Sequence, residues 1–202
     1  MQLILASQSP YRKKQLEQMG LAFTAIKPEV DEEELKTTGP VDPHELTRYL
    51  ASHKANSLRT RFPQAVILGS DQLVELNGRR LDKPGTRARA IEQLTALQGH
   101  AHRLITSLVM ASPTRVQTFT DVTTITLRSL TSAEVLAYVE LDQPLDCAGS
   151  YKIEQAGMAL VERLESRDPS AIQGLPLLSL SEGFLKLGIS WSELWRKGEQ
   201  AK

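Results

Sequence analysis

Ser7, Ser9 and Arg12 crowd the stretch LILASQSPYRKK, where a short apolar run empties into hydroxyls, a proline and cations. A helix starting at Ser9-Pro10 turns its unpaired N–H groups and partial positive charge toward whatever lies ahead of it. The serines add hydroxyl donors, and a guanidinium grips two phosphate oxygens at once. The combination suits a polyphosphate. Neither GxxxxGK[ST] nor GxGxxG occurs, which excludes the familiar glycine-rich nucleotide loops. A capped surface helix with solvated cations would use the same residues, and the pattern alone leaves both readings open.

Asp71, in GSDQ, is the second candidate. An aspartate among Val66, Ile67, Leu68, Leu73 and Val74 is costly to bury without a partner. Gly69 permits a local bend that would place Asp71 at a strand end. A carboxylate there could bind Mg²⁺ or take a proton from water; pairing with an arginine or capping a bulge is the structural alternative. The acidic run VDEEE offers Glu32 as a metal ligand opposite Asp71, or is simply a solvated loop. Lys83, in LDKP, and Lys54 are weak signals alone, and Lys54 could lie on a solvated face. The four histidines lack HExxH or other zinc-ligand spacing. Cys147 reads as a buried small hydrophobe, and the serines lack a GxSxG elbow.

These groups need elements to carry them. Residues 2–6 read as a strand, followed by a helix from Ser9-Pro10 to Gly20, and 21–28 as a second strand. The acidic segment EVDEEELKTTGP lacks apolar periodicity and reads as a loop. Asp42-Pro43 opens a helix, with Glu45 placed for a capping-box variant. Residues 65–76 form an apolar strand interrupted at Gly69–Gln72, and Asn77-Gly78 a type I′ turn into RRLDKP. A helix from Thr86 to Gln98 precedes two strands joined by SPT, the second rich in β-branched residues with clear period-2 alternation. Thr131 and Glu134 cap a short helix. QPLDCAGSYKIEQAG is a loop, MALVERL a strand, and Pro176 onward a C-terminal helix. Alternating elements at the start and antiparallel signals in the middle give an α/β class with a mixed sheet.

Bulk properties exclude several classes. The 202 residues suffice for one domain with a sizeable core, and 24 Lys+Arg balance 24 Asp+Glu. Neutral charge and 5% aromatic content disfavour a nucleic-acid-binding module. One cysteine rules out an internal disulfide and points to a reducing cytoplasm. No apolar run approaches a membrane span, and MQLILASQS lacks the basic start of a signal peptide.

Taken together, LILASQSPYRKKQLEQMG, EVDEE, LASHKA, ILGSDQLV, DKP, PLDCAGSYKIEQAG and GLPL resemble, in this order, the segments of the Maf family. The match spans Leu3 to about Leu187. The resemblance implies a single nucleotide pyrophosphatase domain over 1–202. It also implies a mixed twisted sheet with flanking helices and two lobes around a cleft, similar to the inosine triphosphate pyrophosphatase-like fold, often homodimeric. It further implies a divalent metal, Mg²⁺ or Mn²⁺, and cleavage of a nucleoside triphosphate between its α- and β-phosphates. Carried over by motif, Asp71 is the proton acceptor and Lys83 a second catalytic group. Ser7, Ser9, Arg12 and Lys54 hold the phosphates, and Glu32 and Asp71 lie on the metal side. The family commonly has glycine where Asp82 precedes Lys83 here, which makes the role of Lys83 less secure than that of Asp71.

Three positions resemble the branch of the family assigned to 7-methyl-GTP: Tyr11, Gln72 and Glu154. Relatives acting on dTTP and UTP commonly carry arginine, threonine and glutamine there. A carboxylate at 154 could accept from guanine N1–H and N2–H₂, which thymine and uracil do not offer, and Tyr11 could stack on a cationic base. The rival functions are a pyrophosphatase for dTTP, UTP or other noncanonical nucleotides, and a nucleotide-binding regulator of division that does not hydrolyse.

Overall fold

Every residue of the first strand is buried, as expected of a strand covered on both faces. The computed structural model describes residues 1–198, so 199–202 of the expected domain lie outside the described residues. The chain runs β1 (Leu3–Ala6), α1 (Pro10–Gln18), β2 (Thr24–Ile26), α2 (Glu32–Thr38), α3 (Pro43–Asn56), β3 (Val66–Leu76), β4 (Arg79–Leu81) and α4 (Arg87–Leu97). It continues through β5 (Ala101–Ala111), β6 (Val116–Leu127), α5 (Ser132–Asp142), β7 (Val161–Glu165), α6 (Leu177–Lys186) and α7 (Trp191–Gly198). Short 3-10 turns at Ala148–Ser150, Ala156–Leu160 and Pro169–Gln173 fill the late loops.

The seven-stranded sheet is mixed, in the order β2-β1-β3-β5-β6-β7, with β4 also pairing with β3. β1 is parallel to β2 and β3, and the remaining pairs are antiparallel. Strand alternation sorts the core. Leu3 and Leu5 pack with Leu16, Leu180 and Phe184 on the α1 and α6 face, whereas Ile4 and Ala6 meet Ala51 and Ala55 of α3. The far half of the long strands serves another cluster. There Val74, Leu104 and Ile125 pack against Leu94 of α4 and Val139 of α5.

Three expectations are corrected. The acidic segment is not a loop: Glu32–Thr38 is helical because the Asp31 side chain accepts from the N–H groups of Glu33 and Glu34, both at 3.1 Å. None of its residues is fully buried; the helix rests on its cap, on three glutamates at its positive end and on the packing of Leu35 against the Leu46, Leu50 and Leu73 cluster, so no apolar stripe announces it. β3 is not interrupted either. Its pairing with β5 runs without a slip from Ile67↔Ala111 to Glu75↔Arg103, and Asp71 lies mid-strand, opposite Ser107. Gly69 therefore bends nothing; it admits α3, since a Cβ there would stand 2.7 Å from the Ala55 backbone nitrogen. The C-terminal helix is two, parted at Gly188, whose φ is +74°.

The outer edge of β3 explains the position of the cleft. β1 pairs with Val66–Leu68, and β4 with Val74–Leu76. Among the described residues, no strand pairs with 69–73 on that edge. The sheet is split there, and Asp71 sits at the split.

Candidate active site

A cleft of about 1140 Å³ opens over that split. Its lining includes all ten residues singled out from the sequence: Ser7, Ser9, Tyr11, Arg12, Glu32, Lys54, Asp71, Gln72, Lys83 and Glu154.

Lys54 is at the centre. The close packing of α3 on Gly69 leaves its side chain buried rather than on a solvated face, which corrects that alternative. Its Nζ donates to Asp71 Oδ1 at 2.6 Å and lies 2.9 Å from Glu32 Oε2. Burial alone would push the Glu32 carboxyl up, but the Lys54 ammonium holds it below the ordinary carboxylate range. The second oxygen of Asp71, Oδ2, is buried without a hydrogen-bond partner among the described residues. A buried acceptor left unpaired is costly and has to be answered by a ligand, an ion or water.

Arg12 projects from the first turn of α1. Its Nε donates to the Gly174 carbonyl at 2.8 Å and its Nη1 to Ser7 Oγ at 3.4 Å. Ser70, fully buried beside Asp71, donates to the same carbonyl at 2.8 Å. Burial draws the guanidinium below its ordinary value, while Asp71 and Glu32 act in the opposite direction. Ser7 accepts from the backbone N–H of Ser9, folding the chain so that α1 starts facing the cleft. The Ser9 side chain occupies the N-cap position but makes no capping bond to the described residues. The first-turn amides of α1 thus remain for an anion.

The other end of the cleft is aromatic and acidic. The Tyr11 hydroxyl lies 3.7 Å from Cys147 Sγ, with Asp146 and Glu154 close enough to act on both groups electrostatically. Burial pushes the Cys147 thiol up to about 11. Cys147 is only half-buried and lines the cleft, which corrects its reading as a core hydrophobe. Behind it, Tyr151 is fixed by a 2.7 Å bond to His102, whose imidazole burial pulls down to about 4. Gln72 Nε2 bonds Thr106 and the carbonyls of Ala171 and Ile172, tying β3 to the 3-10 turn that leads to Gly174.

Lys83 stands exposed on the rim. The neighbouring Asp82 pairs with Arg80 at 3.1 Å and lies 3.9 Å from Lys36. Lys36 also lines the cleft, although the sequence reading passed over it. Burial works against its charge, but Glu33, Asp82 and Asp71 together hold its ammonium above the ordinary lysine value. Only its placement on α2, itself unforeseen, brings it to the site.

A hard divalent cation fits the donor set. Asp71 and Glu32 are drawn to the same Lys54 ammonium, so two carboxylates face one cleft. Among the described residues, no three His, Cys, Asp or Glu side chains gather to cage a metal unaided. Such a site suits Mg²⁺ or Mn²⁺, which bind through one or two carboxylates and complete their shell with phosphate oxygens and water.

The family model described as Maf-like protein matches residues 2–186. Among curated proteins, the chain is 44% identical to a 7-methyl-GTP pyrophosphatase of Bdellovibrio bacteriovorus, over 90% of this chain and 94% of that protein. It is 42% identical to one from Xanthomonas oryzae pv. oryzae, covering 89% and 93%. It is 38% identical to one from Syntrophotalea carbinolica, covering 93% and 95%. Among solved structures, a nucleoside-triphosphatase / dITP/XTP pyrophosphatase from Mycobacterium abscessus overlaps 63% of this chain and 74% of its own. The TM-score is 0.38 at 13% identity, too loose a likeness to carry an argument.

Proposed function

The chain belongs to the Maf family, and from that premise we propose that it hydrolyses 7-methyl-GTP to 7-methyl-GMP and pyrophosphate. The single observation that carries the reading is the unpartnered Asp71 Oδ2, buried at the cleft floor while Lys54 grips its twin. A carboxylate anchored by one oxygen presents the other in a fixed direction, as a general base requires.

In this reading the triphosphate lies along the amides opening α1, with Ser7, Ser9 and Arg12 holding its oxygens. Asp71 Oδ2 takes a proton from a water aimed at the α-phosphorus. The water oxygen bonds to that phosphorus as the bond to the bridging oxygen breaks, and the pair of electrons leaves with pyrophosphate. Arg12, Lys54, Lys36 and Lys83 face the charge that develops on the leaving group. Asp71 and Glu32 would hold a divalent cation, which when bound supplies electrostatic stabilisation of phosphate oxygens. At the opposite end Tyr11 and Glu154 meet the base. The neighbouring Asp146 adds negative charge there, which favours a cationic 7-methylguanine over a neutral pyrimidine.

The test is pyrophosphate release from 7-methyl-GTP, GTP, dTTP, UTP and ITP, with and without Mg²⁺ or Mn²⁺. Preferential release from 7-methyl-GTP is expected. Equal rates on the pyrimidines would transfer the assignment to the dTTP and UTP branch. Binding without any release would favour the non-hydrolysing regulator.

A further inference from the structure

Gln93 lies on α4 and is not part of the cleft lining, yet its side chain joins the two segments that form one cleft wall. Its Nε2 donates to the Asp82 carbonyl at 2.8 Å, immediately before Lys83. Its Oε1 accepts from Ser150 Oγ at 2.6 Å, in the loop that carries Cys147, Tyr151 and Glu154. A backbone bond from Gly85 N–H to the Leu145 carbonyl, at 3.0 Å, links the same two segments.

The Ser150 end is under tension. Gly149 and Ser150 are consecutive left-handed residues, with φ of +78° and +63°. Glycine adopts that conformation without strain, whereas a serine needs its surroundings to hold it there. Ser150 is fully buried, and the bond to Gln93 satisfies its hydroxyl. The turn reverses the chain between Cys147, which meets Tyr11, and Tyr151, which meets His102. The turn sets the entry to the segment carrying Glu154, which the Lys152 backbone N–H also ties to the Tyr138 hydroxyl at 2.8 Å.

Both ends of one amide are in use, in opposite senses. We propose that Gln93 is a positioning residue: it fixes the loop bearing Glu154 against the loop bearing Lys83, and so couples base selection to the grip on the phosphate chain. This rests on the functional reading above. The amide suits the task because it donates at one end and accepts at the other; an ionised glutamate can only accept, and methionine offers no donor and only a weakly accepting sulfur.

The experiment measures calorimetric binding of α,β-methylene analogues of 7-methyl-GTP and UTP, beside steady-state turnover of the parent nucleotides. Ser150→Gly keeps a residue at ease with positive φ and removes the hydroxymethyl group that bonds Gln93. It should leave the melting temperature close to wild type while the preference for the methylated analogue falls about five- to tenfold, as loss of one hydrogen bond would give. Gln93→Glu still accepts from Ser150 but sets an oxygen against the Asp82 carbonyl. It should weaken both analogues together and spare their ratio. Gln93→Met should do both.

Unchanged affinities and ratio in folded Ser150→Gly and Gln93→Glu would overturn the coupling, and Ser150→Gly decides if Gln93→Met does not fold. A wild-type protein that binds both analogues but turns over neither parent nucleotide would overturn the functional reading alone, and the binding ratios would still decide the clamp.

Discussion

Lys54 Nζ holds one oxygen of Asp71 at 2.6 Å, deep in the fold, while the other oxygen of the same carboxylate meets no described partner. In the proposed mechanism the asymmetry separates two jobs of a general base: the anchored oxygen fixes the group, and the other receives the proton.

Asp71→Asn keeps the shape and removes the basic oxygen. Turnover should fall by about 10²–10⁴ while affinity for the nucleotide stays within a fewfold. Pyrophosphate release and calorimetric binding check this together. Lys54→Met should fail differently. It strands Asp71 as a buried charge, costing about 3 kcal/mol or more of stability in urea unfolding as well as activity.

Glu154→Gln tests base reading. Exchanging the acceptor for an amide should reduce kcat/KM for 7-methyl-GTP about tenfold and leave UTP nearly untouched. Equal losses on both would remove Glu154 from recognition of the base.

Gly69→Ala puts a methyl group where α3 touches the sheet. With the Ala55 backbone nitrogen 2.7 Å from the new Cβ, the helix has to retreat. A destabilisation of about 1–3 kcal/mol is expected from such overpacking. Activity should fall further than stability explains, because Lys54 precedes Ala55 and moves with it. Denaturant midpoints set against specific activity of the folded fraction separate the two effects.

His102 makes stability depend on pH. Its buried imidazole, pulled down to about 4, stays neutral in the fold while an unfolded histidine protonates near 6.5. The unfolded chain therefore binds more protons between those values. The stabilisation is complete above about 6.5 and drains away as pH falls toward about 4. Melting temperatures across that window should decline in the wild type and decline less in His102→Gln.

The buried first strand, the hairpin at Asn77-Gly78 and the helices capped by Asp42 and Thr131 were legible because each rests on local chemistry. Apolar runs, positive-φ residues and side-chain caps act within a few residues of themselves. The acidic helix was hidden because none of its residues is fully buried and Leu35 alone packs on the Leu46, Leu50 and Leu73 cluster, which leaves no periodic trace. Lys54 could not be recognised as a core residue, since its burial depends on a glycine fifteen positions later in the chain admitting α3. The full set of ten cleft residues came from family likeness; the residues themselves suggested the phosphate-facing start of α1, Asp71 as a metal-binding or proton-accepting carboxylate, and Glu32 opposite it. Gln93 and Lys36 matter through partners that no local pattern names.

The split in the sheet has a consequence for how such a protein can diversify. The strand bearing Asp71 is clamped to β5 from Ile67 to Glu75, while on the open side the strands that pair with it among the described residues are two short ones, β1 and β4. Those borders can lengthen, shorten or change residue by residue without disturbing the strand pairing that holds Asp71 in place. A new guest can be admitted by rebuilding the doorway, with the hearth left where it was.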